Sequence, residues 1–129
     1  MTINYLGVDW GEKRIGLALA DSENKIATPF RTIENITELV KVVLEEEINS
    51  VVIGLPKKMS TGEIENPNFS KFIKILQERL LDKNISFDFI DERLSSVQAD
   101  TLKVKEVKYE RDSVSAMIIL QSYLDKKYD

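Results

Sequence analysis

The hydrophobic pattern opens on an alternation. Leu6 and Val8 take every second position against Gly7 and Asp9, which is the period of a half-buried strand. The polar run Gly11-Glu12-Lys13-Arg14 interrupts it, and Ile15-Gly16-Leu17-Ala18-Leu19 resumes an apolar stretch, so the segment from Tyr5 to Ala20 predicts strand, turn, strand. Asp21 to Lys25 is a polar turn. Ile26 to Ile33 is a weaker third strand, and Pro29, which cannot donate to a ladder on both sides, predicts that it lies at a sheet edge. Ile36, Leu39, Val40, Val43, Leu44 and Ile48 then recur at spacings of three and four, the pattern of an amphipathic helix, with Asn35 and Glu38 as its start signal.

Ser50 to Pro56 is apolar without alternation, as a central parallel strand covered on both faces should be. The Lys, Ser, Thr and Gly residues between Lys57 and Glu65 predict a surface loop leading to Asn66-Pro67, a cap followed by a first-turn proline. A helix with Phe69, Phe72, Ile73, Leu76 and Leu80 on one face follows and ends near Asn84. Ile85 to Ile90 predicts the fifth strand. Ser95 with Gln98 forms a capping-box pattern for a helix through about Lys103. Ser113 to Lys127 is apolar around most of its circumference and predicts a last helix largely buried on the sheet. The expected fold is α/β: a mixed five-stranded sheet, three antiparallel strands and then two parallel ones, flanked by helices.

Composition narrows the chemistry more than the fold. At 129 residues the chain fits one domain, and we take 1–129 as a single unit. It contains no Cys and no His. Disulfides, thiol nucleophiles, thiolate zinc sites and imidazole bases or ligands are therefore excluded. Any enzymatic chemistry must come from carboxylates, lysines, hydroxyls or backbone, and carboxylates alone suit hard cations such as Mg²⁺ or Mn²⁺. The net charge of −4 speaks against a general nucleic-acid coat, though not against a local basic patch. No apolar run approaches the roughly 20 residues that span a bilayer, and the chain enters its first strand without a leader, so a cytoplasmic protein without membrane contact is expected.

Three carboxylates stand at informative places: Asp9 at the end of the first strand, Glu92 just after the fifth, and Asp112 opening the last helix. Each has a bland reading. Asp9 suits a turn, Asp91 and Glu92 suit pairing with Arg93 or Arg14, and Asp112 suits a helix N-terminus. Asp112 nevertheless shares a helical face with Ala116, Ile119 and Tyr123, and an inward carboxylate is costly without a compensating cation. Parallel strands gather ligand sites at their carboxyl ends, where Glu92 stands, and Asp9 emerges nearby if the first strand lies beside the fourth. Three converging acids favour one or two Mg²⁺ or Mn²⁺ ions on a phosphodiester.

At these positions the chain resembles the YqgF/RuvX family of pre-16S ribosomal RNA nucleases. The resemblance rests on Gly7-Val8-Asp9-Trp10-Gly11-Glu12-Lys13-Arg14-Ile15-Gly16, Val52-Ile53-Gly54-Leu55-Pro56, Asp91-Glu92-Arg93-Leu94-Ser95-Ser96, and the segment from Asp112 to Leu124. It implies an RNase H-like fold similar to RuvC Holliday-junction resolvases, and an acidic triad, catalytic and metal-binding, at Asp9, Glu92 and Asp112. Lys57-Lys58-Met59-Ser60-Thr61-Gly62 departs from the family's loop after Gly-Leu-Pro, keeping the Met and a displaced Gly. Lys103, Lys105, Lys108 and Arg111 stand where the family carries a denser basic run, and Glu106 and Glu110 dilute them to a surplus of two charges, four against two. Modest, salt-sensitive binding is expected.

The leading expectation is thus a metal-dependent nuclease maturing the 5′ end of the 16S rRNA precursor. Arg14, Lys57, Lys58, Lys103, Lys105, Lys108 and Arg111 would hold the substrate backbone, with ribosomal particles as a further partner, and the protein would act as a monomer or weak dimer. Trp10 and Tyr109 suit either base stacking or packing. Two alternatives stay open: resolution of branched DNA, which calls for a two-fold dimer, and a non-catalytic RNA- or ribosome-binding module. An actin-like or sugar-kinase ATPase, suggested by Asp9-Trp10-Gly11, normally needs two such domains.

Overall fold

The computed structural model describes residues 1–56, 66–91 and 111–129. Strands β1 (Asn4–Trp10), β2 (Ile15–Asp21) and β3 (Thr28–Ile33) come first. Helix α1 (Ile36–Glu45), strand β4 (Ser50–Leu55), helix α2 (Pro67–Arg79), strand β5 (Ser86–Asp91) and helix α3 (Arg111–Lys127) follow. The sheet order is β3-β2-β1-β4-β5. β1 runs antiparallel to β2, β2 antiparallel to β3, and β4 parallel to both β1 and β5, which is the mixed arrangement expected. The helix predicted from Ser95 to about Lys103 lies outside the described residues.

Alternation divides the sheet between two cores. Leu6, Val8, Ile15, Leu17, Val51 and Ile53 project to one side, where Leu39, Val42 and Val43 of α1 and Phe69, Phe72 and Leu76 of α2 bury them. Tyr5, Ala18 and Val52 project to the other side, beneath Ala116, Ile119, Leu120 and Leu124 of α3. Each aliphatic side chain taken fully from water contributes about 1.5–3 kcal/mol, so both cores hold the helices against the sheet. The small residues under α3 set how closely it approaches. A Cβ on Gly7 would lie 2.7 Å from Cβ of Leu120 and 2.8 Å from the carbonyl oxygen of Ala116.

Local signals account for most element ends. The Asn35 side chain accepts from the Glu38 amide at 2.9 Å, and the Glu38 carboxylate accepts from the Glu34 amide at 2.9 Å, closing the start of α1. Asn66 caps α2 by accepting from the amides of Asn68 and Phe69, with Pro67 in the first turn. α1 stops before Ile48 because Glu47 takes a left-handed conformation, φ 52°, and Ile48 is buried from outside the helix. α2 likewise ends at Arg79, and Asn84, φ 56°, belongs to the turn beyond. Pro29 does sit on the edge strand. Beside it the register shifts, with Leu17 opposite Arg31 and Ala18 opposite Pro29, so Phe30 is an extra residue in β3.

Candidate functional site

β1, β4 and β5 are mutually parallel, so Asp9, Leu55 and Asp91 come out at one end of the sheet. Asp9 is not a turn residue. It lies within β1, directly opposite Gly16 of β2, and Trp10 continues the strand to pair with Ile15. Tyr5, at the even spacing from Asp9, belongs to the core under α3, as does Ala18 at the even spacing from Gly16, so Asp9 projects from the α3 face. Trp10 therefore projects from the opposite face, where its ring centre lies 5.5 Å from that of Phe69 and 6.1 Å from that of Phe72. These contacts favour the packing reading of Trp10. Its aromatic area is used in packing α2 against the sheet.

Gly16 brings the second carboxylate to the first. An ideal Cβ built on Gly16 would fall 2.0 Å from the carbonyl oxygen of Asp112 and 2.9 Å from its Cβ. The first turn of α3 thus rests directly on the Gly16 backbone, which is possible only because that residue has no side chain. Residues facing one another across an antiparallel pair have Cβ positions about 4.5–5.5 Å apart on the same face. Asp9 and Asp112 accordingly flank one bare strand position, one from the sheet and the other from the helix above it. The register adds Thr32 to the same row, opposite Gly16 on its β3 side.

Asp112 is 29% exposed, and its Oδ2 lies 3.6 Å from Nε of Arg14, whose side chain is 67% exposed. The structure therefore places Asp9 and the Arg14–Asp112 pair at one end of the sheet. The turn carrying Arg14 is tied to α2, since the Asn68 side-chain amide donates to the Glu12 carboxylate at 3.1 Å. Helix α3 includes Arg111 and begins two residues before the predicted start. Glu92, Lys57, Lys58, Lys103, Lys105, Lys108 and Tyr109 lie outside the described residues. Glu92 directly follows Asp91 in the chain.

Among the described residues no group of three acidic side chains gathers. The two that flank Gly16, Asp9 and Asp112, offer only oxygen donors, which fit Mg²⁺ or Mn²⁺ and do not fit the softer metals that need sulfur or imidazole. The Thr32 hydroxyl is a second sign of fit, because its oxygen is buried and has no hydrogen-bond partner among the described residues. Sequence reasoning did not single out Gly7, Gly16 or Thr32. The available signal was the pair of glycines inside otherwise apolar strands, which marks a close backbone approach.

The far end of α3 is held by tyrosines. Tyr123 donates to Asp88 of β5, and the hydroxyls of Tyr5 and Tyr128 lie 2.6 Å apart. Burial, and then the hydrogen bond to Asp88, push the Tyr123 hydroxyl up to about 12 from its ordinary 10.0. Burial and the Tyr128 hydroxyl raise Tyr5 as well. No helix among the described residues is long and apolar enough to cross a membrane.

Known proteins resemble this chain in sequence or in architecture. A family model for RuvX, described as Holliday junction resolvase, matches residues 3–126. A protein of Crocosphaera subtropica named "Putative pre-16S rRNA nuclease" is 38% identical, over 97% of this chain and 94% of that one. A Chloroflexus aggregans protein of the same name is 36% identical, over 95% and 93%. Among solved structures, Fowlpox virus resolvase in complex with Holliday junction DNA superimposes with a TM-score of 0.68 at 12% identity, covering 98% of this chain and all (100%) of that one. RuvC of T. thermophilus with a Holliday junction substrate superimposes with a TM-score of 0.66 at 9% identity, covering 98% and 96%. At such identities these two structures speak for the fold, the resolvase form of the RNase H-like sheet.

Proposed function

The chain belongs to the RuvX family, and from that membership we propose that it is a divalent-metal-dependent nuclease that hydrolyses a phosphodiester at the 5′ end of the 16S ribosomal RNA precursor in the cytoplasm. The observation that carries the metal dependence is the meeting of Asp9 and Asp112 at the bare backbone of Gly16. Asp9 and Asp112, with Glu92 as the third acid, hold Mg²⁺ or Mn²⁺. When bound, the ion supplies charge neutralisation at the scissile phosphate and a more acidic water.

The remaining work falls to the chain itself. α3 anchors Asp112 over the sheet, and the β1–β2 ladder fixes Asp9 within it, so the acids need little reorganisation when substrate arrives. Arg14, two-thirds exposed at the rim, holds the phosphate backbone. Lys57, Lys58, Lys103, Lys105, Lys108 and Arg111 extend that contact along the strand as salt-sensitive neutralisers of phosphate charge.

Cleavage of a precursor RNA in Mg²⁺ or Mn²⁺, compared between wild type and Asp9→Asn, tests the reading. Metal-dependent cleavage by wild type and a loss of several orders of magnitude in the variant are expected. Equal cleavage by both proteins eliminates the mechanism.

The family description supports a second reading, resolution of branched DNA by the same acids. Two opposed cuts call for a two-fold dimer. Junction cleavage at protein concentrations where sedimentation shows dimers would favour it over RNA processing. A non-catalytic binding module predicts instead that RNA binding persists without metal and that neither protein cleaves.

A further inference from the structure

Thr32 is the one residue among those described whose buried side-chain polar atom has no hydrogen-bond partner. Its position is set by the extra residue Phe30 in β3. That shift lets Pro29, opposite Ala18, and Thr32, opposite Gly16, both face α3 although they are three residues apart. Thr32, Gly16 and Asp9 form one row across three strands, and Asp112 rests on the central glycine.

A hydroxyl buried without a partner costs about 1–3 kcal/mol. Valine has the same shape and an equal or better strand preference, and it would avoid that cost. A packing role alone therefore favours valine at this position. The hydroxyl is explained if its hydrogen-bonding capacity is used in another state of the same site. The acidic pair beside it is where such a state arises, because cation ligands are held in orientation by hydrogen bonds from neighbouring groups.

We infer that Thr32 is a positioning residue of the acidic site, whose hydroxyl orients the ligand oxygens around Asp112, directly or through one water, when the divalent cation is held. The inference rests on the metal-dependent reading given above. It assigns the residue no contact with the reacting atoms, and it predicts that the cation's affinity, rather than folding, depends on the hydroxyl.

The test is calorimetric titration of the full chain with MnCl₂ for wild type, Thr32→Val and Thr32→Ser, together with urea denaturation of each metal-free protein. Thr32→Val should fold, be at least as stable as wild type without metal, and bind Mn²⁺ about tenfold more weakly, the lower end of what loss of an orienting partner causes. Thr32→Ser should restore most of the affinity. Thr32→Ala, which removes the hydroxyl together with the native γ-methyl, should weaken Mn²⁺ binding alike. If wild type binds Mn²⁺ and all three variants match it, the hydroxyl serves no cation and this inference fails while the nuclease reading stands. If wild type itself shows no Mn²⁺ binding, the metal-dependent reading falls and takes this inference with it.

Discussion

Gly16 and Asp112 are in contact so close that no side chain fits between them: the Cβ of an alanine at 16 would lie 2.0 Å from the Asp112 carbonyl oxygen. The obstacle is backbone, which cannot swing aside, so Gly16→Ala must lift the first turn of α3. Overpacking of this kind costs about 1–3 kcal/mol. We expect the urea midpoint to fall accordingly, with the Mn²⁺-induced rise in Tm lost because Asp112 no longer stands over Asp9. A variant as stable as wild type that keeps the metal response would show that the helix approach is unimportant to the site.

The strands, the edge place of β3 and both helix starts before α3 were legible because local chemistry decides them: alternation, Pro29 at an edge, Asn35 and Asn66 as caps. The placing of Asp9 and Asp112 on either side of Gly16 was legible only in outline. Asp9 looked equally like a turn residue, since a carboxylate in a strand is explained only by what lies across from it, and Gly16 is remote from Asp112 in sequence. Glu47 concealed the end of α1, because a glutamate gives no sign that it will take the left-handed conformation in which a glycine is expected. Thr32 carried no signal at all. Threonine is an ordinary strand residue, and only the register, shifted by Phe30, sets it beside the acids.

Tyr123 gives a prediction at high pH. Its hydroxyl is raised to about 12 in the folded chain from an ordinary 10.0, chiefly by burial and then by the bond to Asp88. A raised value means that the native state holds its proton more tightly than the unfolded state does. The stabilising contribution is therefore complete below pH 10 and is lost as pH rises towards 12. Tyr123→Phe removes this part of the dependence. Urea midpoints of the two proteins at pH 9, 10.5 and 11.5 should converge with rising pH, and a constant gap would show that the Tyr123 hydroxyl is not raised in the folded chain.

Asp112→Asn separates folding from function. The charge favours the start of α3 by about 0.3–1 kcal/mol, and its contact with the largely exposed Arg14 adds about 0–1 kcal/mol. Relief of repulsion from Asp9 acts in the other direction. The metal-free variant should therefore stay within about 1 kcal/mol of wild type, even though cleavage is abolished. Metal then divides the two: at a hundred times the dissociation constant, wild type gains about 2.7 kcal/mol by linkage, and the variant gains little. Thermal melts with chelator and with Mn²⁺ check this. A variant deficit unaffected by metal would leave Asp112 as a helix-end residue only.

Arg14 is placed to compete with the cation for the same carboxylate. At 3.6 Å its Nε contact with Asp112 is an ion pair longer than a hydrogen bond, made by a side chain 67% exposed. Removing it should change stability by less than about 1 kcal/mol. Two charges near this distance interact by about 1 kcal/mol in water and more at a protein surface, so Arg14→Gln should bind Mn²⁺ about fivefold more tightly. Its effect on RNA should have the opposite sign, because a guanidinium turned from carboxylate to phosphate is lost from the interface. With metal present, RNA affinity should fall, and the slope of log affinity against log salt should shrink by about 0.7, the share of one phosphate contact on a single strand. Calorimetry with Mn²⁺ and filter binding across a salt series read the two effects separately. Weaker Mn²⁺ binding in Arg14→Gln would mean that Arg14 braces the acids rather than competing for them. An unchanged salt slope would mean that it makes no phosphate contact.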